Sequence, residues 1–186
     1  PALFKTFADE VGLDWQVSLE TSPGKDLAWH LGFKRAVIAH PWDVVILQGY
    51  STLDPDHPGD PARHLAAANA LARLVRAANP KVSVRLETTW SRADQVYKPG
   101  GHWFGQPVFR MADDLAAANA LALGQPGGPD GLIPVGGAWN RAIRAGIAVA
   151  QRSAMRFSPL KLDCSMMPGT IGCVMPASRA LSRNLK

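Results

Sequence analysis

Trp42-Asp43-Val44-Val45-Ile46-Leu47-Gln48-Gly49-Tyr50-Ser51 is the stretch that decides the architecture. Val44 to Leu47 are all apolar, and Val44, Val45 and Ile46 are β-branched. That composition is typical of a strand buried on both faces. The run ends in an amide side chain, Gln48, followed by Gly49. In open α/β sheets, ligands bind beyond the carboxyl ends of the strands. Gln48 therefore falls where a site is expected.

Working outward, the chain alternates helix and strand. Residues 2–11 place Leu3, Phe4, Phe7 and Val11 on one side of a helix. Trp15, Val17 and Leu19 alternate with Gln16, Ser18 and Glu20, the pattern of a half-buried strand over 15–21. Ser22-Pro23-Gly24 turns, and Asp26 can cap a helix running to about Ala39. Asp54 to Pro61 is a loop, because Pro55, Pro58 and Pro61 forbid regular structure. A helix over 62–78 stops at Asn79-Pro80, and 82–88 reads as a strand. Residues 90–106 form a long irregular loop rich in Gly and aromatics. A helix over 107–123, a short strand over 132–135 and a helix over 138–155 complete the pattern. This order predicts an α/β domain with a largely parallel sheet and helices on both faces. The octapeptide Leu-Ala-Ala-Ala-Asn-Ala-Leu-Ala occurs at 65–72 and again at 115–122. The flanks differ, so it reads as convergence between two alanine-rich helices rather than a solenoid repeat.

Bulk properties narrow the function classes. At 186 residues the chain fits one domain with a sizeable core. No stretch approaches the roughly 20 apolar residues of a membrane helix, so no membrane partner is expected. The net charge is +5, but the Lys and Arg are scattered, without a basic run or interleaved aromatics. That reads as a solvated surface and not as a nucleic-acid site. The start, Pro1 to Lys5, lacks the basic region and apolar core of a signal peptide. It also lacks a Met, which reads as a processed, trimmed or fragmentary start. The localisation is not legible.

The sequence contains no Gly-x-Ser-x-Gly elbow, no phosphate-binding Gly-rich loop and no dinucleotide fingerprint. His30, His40, His57, His64 and His102 have no metal-ligand spacing, and Cys164 and Cys173 match no common zinc pattern. No cofactor or metal is expected. His30 and His64 fall within helices and read as packing or surface residues. What converges is a set of loops after strands: Gly24, Gln48, Thr89 to Arg92, and Gly136 to Asn140. A bare backbone amide at Gly24 and the Gln48 side chain would make a donor pair.

Four segments carry a resemblance. They are Gly24 to Leu31, Trp42 to Gln48, Ala78 to Pro80 with Glu87 to Asp94, and Ile133 to Ala142. In order and spacing they resemble the SGNH (GDSL-like) hydrolase superfamily, specifically its bacterial esterase branch, over roughly residues 1–157. The resemblance implies a three-layer, flavodoxin-like α/β/α fold and hydrolysis of carboxylic esters through Ser, His and Asp by way of an acyl-enzyme. It implies an oxyanion hole to which Gly24 and Gln48 contribute. Gln48 stands where the family usually has Asn, and Gly49 stands where this branch has Glu. Trp90, Arg92, Tyr97, Trp103 and Phe104, on the loop after the third strand, would line the pocket of a small-molecule or carbohydrate ester. The family's nucleophile block would lie upstream of Pro1, on a first strand, and its Asp-x-x-His block after about residue 158. Nothing in 1–12 resembles the former, and no His follows His102. The chain as written therefore reads as an incomplete, inactive hydrolase with an unpaired, aggregation-prone sheet edge where the first strand belongs. The alternative reading is a non-catalytic carbohydrate- or ligand-binding domain on a hydrolase-like fold, for which the aromatic loop is suited and no nucleophile is needed.

The tail, 158–186, departs in character. Met166 to Pro176 has neither helical nor strand period. It reads as disordered, or as translated in a shifted frame. Taken in the shifted frame, codons permitted for Asp163 to Leu181 can encode a His-Ala-Ser-x-x-Gly run resembling the family's terminal histidine block.

Overall fold

The structure, a computed structural model, describes residues 2–146 and, for the main chain alone, 170–176. The elements in order are α1 (Ala2–Glu10), β1 (Ser18–Thr21), α2 (Leu27–Phe33), α3 (Arg35–Ile38), β2 (Trp42–Gln48) and α4 (Ala62–Ala78). There follow β3 (Ser83–Glu87), α5 (Ala93–Val96), α6 (Arg110–Leu123), β4 (Gly131–Ile133), α7 (Val135–Arg144) and β5 (Thr170–Pro176). The sheet order is β1-β5-β2-β3-β4.

β2 and β3 pair in parallel and in unbroken register from Val44↔Ser83 to Gln48↔Glu87, and β3 pairs in parallel with β4. β5 is antiparallel to both of its neighbours, β1 and β2. It follows that β1 to β4 all point the same way, and their carboxyl ends share one edge.

The strand pleat sorts the core. Val45, Leu47, Val84 and Leu86 are wholly buried. They pack in one cluster with Leu27 of α2, Ile38 of α3, Ala67, Ala68, Leu71, Ala72 and Val75 of α4, and Ala122 of α6. The small alanines favour the helix and let it lie close to the sheet. The opposite pleat carries half-buried Val44 and Ile46 and exposed Arg85. Among the described residues, the α/β class holds, with a parallel β2-β3-β4 sheet and a helical layer on the Val45–Leu47 face. A second cluster, Leu53, Val96, Trp103, Met111, Leu115 and Ala118, lies under the loop that precedes α6.

Several boundaries differ from the sequence reading. The helix expected over 26–39 is broken at Lys34 into α2 and α3. The strand expected to reach residue 135 ends at Ile133, and α7 begins directly at Val135. The remainder of the helix expected to 155 lies outside the described residues. So does the tail, apart from β5, a strand in a segment with no strand period. β5 lines the β2 edge that the sequence reading left unpaired.

The repeated octapeptide has a structural use. Asn69 in α4 donates to Gln125 just beyond α6, and Asn119 in α6 pairs with His64 in α4. The asparagine of each copy reaches across, Asn119 to α4 itself and Asn69 to Gln125 just past the end of α6. A buried amide inside a helix needs such a partner.

Candidate functional site

The shared carboxyl edge begins at β1. The chain leaves it through a turn in which Lys25 N donates to Ser22 O (3.3 Å), with Gly24 at φ +67°. That left-handed conformation suits glycine, and the space around Gly24 is open. Asp26 then caps α2, its Oδ1 accepting from Trp29 N at 2.8 Å. Its Oδ2 lies 2.7 Å from Arg63 Nε, close enough for an ion pair but not aligned for a hydrogen bond. The cap thus ties the first turn of α2 to the first turn of α4.

Gln48, the last residue of β2, is half-buried and stands in register with Glu87, the last of β3. Burial alone pushes the Glu87 carboxyl above its ordinary range. The chain beyond Gln48 must turn against His64. A Cβ on Gly49 would collide with the imidazole ring. His64 is only 3% exposed, and its Nε2 lies 2.6 Å from Asn119 Oδ1. With the Asn119 oxygen facing the ring, as the hydrogen-bond network assigns it, Nε2 carries the proton. Nδ1 then keeps a lone pair with no partner. Burial holds the His64 pKa below the ordinary histidine value. Gly49, Tyr50, His64, Glu87, Thr89 and Asn119 are among the residues around a cavity of about 10 Å³. That is room for about one water molecule. An ester does not fit there, so His64 acts as a brace behind the β2 turn and not as a base facing substrate.

The loops after β2 and β3 are cross-tied. Arg92 grips Asp94 with two donors, at 3.0 and 2.6 Å, and reaches Ser51 Oγ at 2.8 Å. Burial raises the Asp94 carboxyl, but the Arg92 fork and the Gln95 amide outweigh it and hold its pKa below the ordinary value. Asp54 closes the β2 loop by accepting from Asp56 N (2.7 Å) and His57 N (2.9 Å). Those amides, the His57 one first, lower its pKa. α7 is pressed onto the β3 loop at Gly136, where any Cβ would strike the Thr89 carbonyl. This close approach sets half-buried Trp90 beside exposed Trp139, their rings 6.4 Å apart and tilted by 46°.

The structure distributes the expected site residues unevenly. Gly24 and Gln48 both lie at the carboxyl edge, Gly24 in the turn after β1 and Gln48 at the end of β2, strands separated by β5. Two strand spacings put β1 and β2 themselves about 10 Å apart. Trp90 and Arg92 lie on the β3 loop at that edge, and Phe104 is exposed. Trp103 is 1% exposed, a core residue that donates to Asp114 at 3.0 Å, so it lines no pocket. Tyr97 packs half-buried against the same core cluster. The sequence reading took His64 for a packing or surface residue, and the structure buries it, but it gave no role to Glu87 or Asn119. The available signal was the asparagine placed identically in two otherwise apolar octapeptides. Among the described residues, no group of acidic, His or Cys side chains could hold a metal ion, and no helix is long and apolar enough to cross a membrane.

No family model, no curated protein and no solved structure matches this chain.

Proposed function

We propose that this chain supplies the oxyanion side of an SGNH-type serine hydrolase of three-layer, flavodoxin-like fold, acting on carboxylic esters of small molecules or carbohydrates. One observation carries the reading. Gly24, in the left-handed turn that follows β1, and Gln48, at the end of β2, follow parallel strands that flank the one strand position β5 fills, at the edge where α/β sheets bind ligands. A nucleophile delivered from that intervening position would stand between the two donors. The Gly24 amide and the Gln48 side chain would then stabilise the oxyanion of the tetrahedral intermediate, while Ser, activated by His, forms and loses the acyl group. Half-buried Trp90 and exposed Phe104, on the loop after β3, would bind the acyl or alcohol moiety, and Arg92 would hold that loop to Ser51.

The test is p-nitrophenyl acetate turnover by the polypeptide as encoded with its flanking sequence. Turnover should be abolished by replacing the upstream Ser. Gln48→Ala should lower kcat by about 10²–10³, the usual effect of removing one oxyanion donor. Turnover indifferent to Gln48 would refute the assignment. The Trp90–Trp139 pair also favours a second reading, a non-catalytic sugar-binding surface. Absent turnover together with a saturable change in tryptophan fluorescence on adding sugars would support it.

A further inference from the structure

Arg63, Arg76, Arg92, Arg110 and Arg144 each meet an aspartate. Arg35 and Arg73 have no hydrogen-bond or ion-pair partner among the described residues, yet both border one groove. The groove measures about 300 Å³ and is lined by Leu31 and Arg35 on the α2–α3 side and by Ala70, Arg73, Leu74 and Ala77 on α4. Leu31 and Leu74 pack against the main core, which fixes the floor. The α4 residues fall at i, i+3, i+4 and i+7, a single stripe about 10 Å long. Ala70 and Ala77 keep the two ends of that stripe open. The stem of Arg73 lies against Gly127. One arginine thus stands on each wall, and no carboxylate lines the space between. The two octapeptide copies part at this point, Arg73-Leu74 following the first and Leu123-Gly124 the second. Just past the groove, Asn79 donates to Trp42 O at 2.7 Å and ties this end of α4 to the start of β2. The groove therefore lies toward the amino edge of the sheet, away from Gly24 and Gln48.

We propose that this groove binds a small amphiphile, a phosphate monoester carrying one unbranched alkyl tail. The head follows from the charge. Two guanidiniums without a counter-ion leave two positive charges, and a carboxylate would answer only one of them. A phosphate monoester brings about −1.5 to −2 at neutral pH and three acceptor oxygens, which suits a guanidinium fork from each wall. The tail follows from the floor, where Leu31, Ala70, Leu74 and Ala77 offer only aliphatic surface. The volume stands at the small end of the range for ligand sites, which selects one tail over two. Inorganic phosphate would leave that floor wet, and an uncharged alcohol would leave both arginines unpaired. The site stands apart from the carboxyl edge and does not depend on ester hydrolysis.

Calorimetric titration of the full chain with octyl phosphate tests this, with inorganic phosphate, octanoate and octanol as comparisons. Octyl phosphate should bind saturably at one site, and each comparison should bind about tenfold more weakly or worse, since each lacks the tail, a charge or the whole head. Arg35→Gln and Arg73→Gln should each weaken octyl phosphate about tenfold, the contribution of one charge-assisted hydrogen bond. Ala70→Leu places a helix-favouring side chain in the groove. It should abolish binding while leaving the urea midpoint in place, which separates a filled groove from a damaged fold. The methyl signals of Leu31 and Leu74 should shift on titration. No saturable binding, inorganic phosphate or octanol binding as tightly as octyl phosphate, indifference to Ala70→Leu, or shifts at Trp90 and Trp139 in place of Leu31 and Leu74 would each overturn the proposal. So would self-association of the chain that Arg73→Gln dissolves, because the groove would then belong to a second copy.

Discussion

Two buried imidazoles should make this protein sensitive to acid. His30 is fully enclosed, and neither ring nitrogen has a hydrogen-bond partner. Burial lowers its pKa, opposed chiefly by Glu20, whose Oε1 lies 3.9 Å from Nδ1. His64 is lowered by burial as well, against the Asn119 bond. Both groups hold fewer protons in the folded state than in the unfolded state, where the value is 6.5. Their contribution is therefore full above pH 6.5 and is lost as pH falls from there toward the folded values. Glu87 works in the opposite sense: its raised pKa adds stability in acid that disappears as pH rises beyond 4.5 through the folded value. The two histidines should dominate between pH 7.5 and 5.5. Urea midpoints should fall across that interval, and the fall should be shallower in His64→Gln. A midpoint flat with pH would contradict the burial of these rings.

At the scale of elements, the cap of α2 has a measurable role. Asp26 accepts the Trp29 amide and lies against Arg63, so it serves two helices. Asp26→Ala should cost about 1 kcal/mol, the usual loss for an N-cap, read as a lower urea midpoint with an unchanged slope. This cap was legible in the sequence because Asp before an apolar run is a local signal. α4 was legible over its full length, 62–78, for the same reason: prolines bound it and alanine and leucine fill it. The division at Lys34 was not legible. Gly32 is the one local mark, a weak one, and the apolar pattern continues across the break. β5 was the least legible element. A strand inserted between two others is recruited by their unpaired main-chain groups, and those leave no trace in its own periodicity. Among candidate site residues, Gly24 and Gln48 could be placed from the turn and strand end they mark. Trp103 could not, because an aromatic in a Gly-rich loop reads alike whether it covers the core or faces solvent.

At the scale of the molecule, burial is unevenly distributed among the described residues. The larger core cluster joins the sheet to α2, α3, α4 and α6. By contrast, α1 leaves Leu3 89% and Phe7 59% exposed, with Phe4 stacked on Trp15. The sequence reading placed the aggregation hazard at an open sheet edge. The structure pairs that edge with β5 and puts the larger apolar exposure on α1 instead.

Asp130 shows what this unevenness implies on the time axis. Its Oδ2 accepts the Val84 amide at 2.7 Å, its own amide donates to Val84 O at 2.7 Å, and Arg76 grips its other oxygen. The amino end of β3 is thus closed where a strand would ordinarily fray. In deuterated water, the amide protons of Val84, Leu86 and Val45 should be among the last to exchange, released only by global opening. Those of α1 should vanish first. A single residue before β4 would then set the clock for the strand beside it, and Asp130→Ala should advance Val84 from the slow group to the fast one while leaving Val45 where it is.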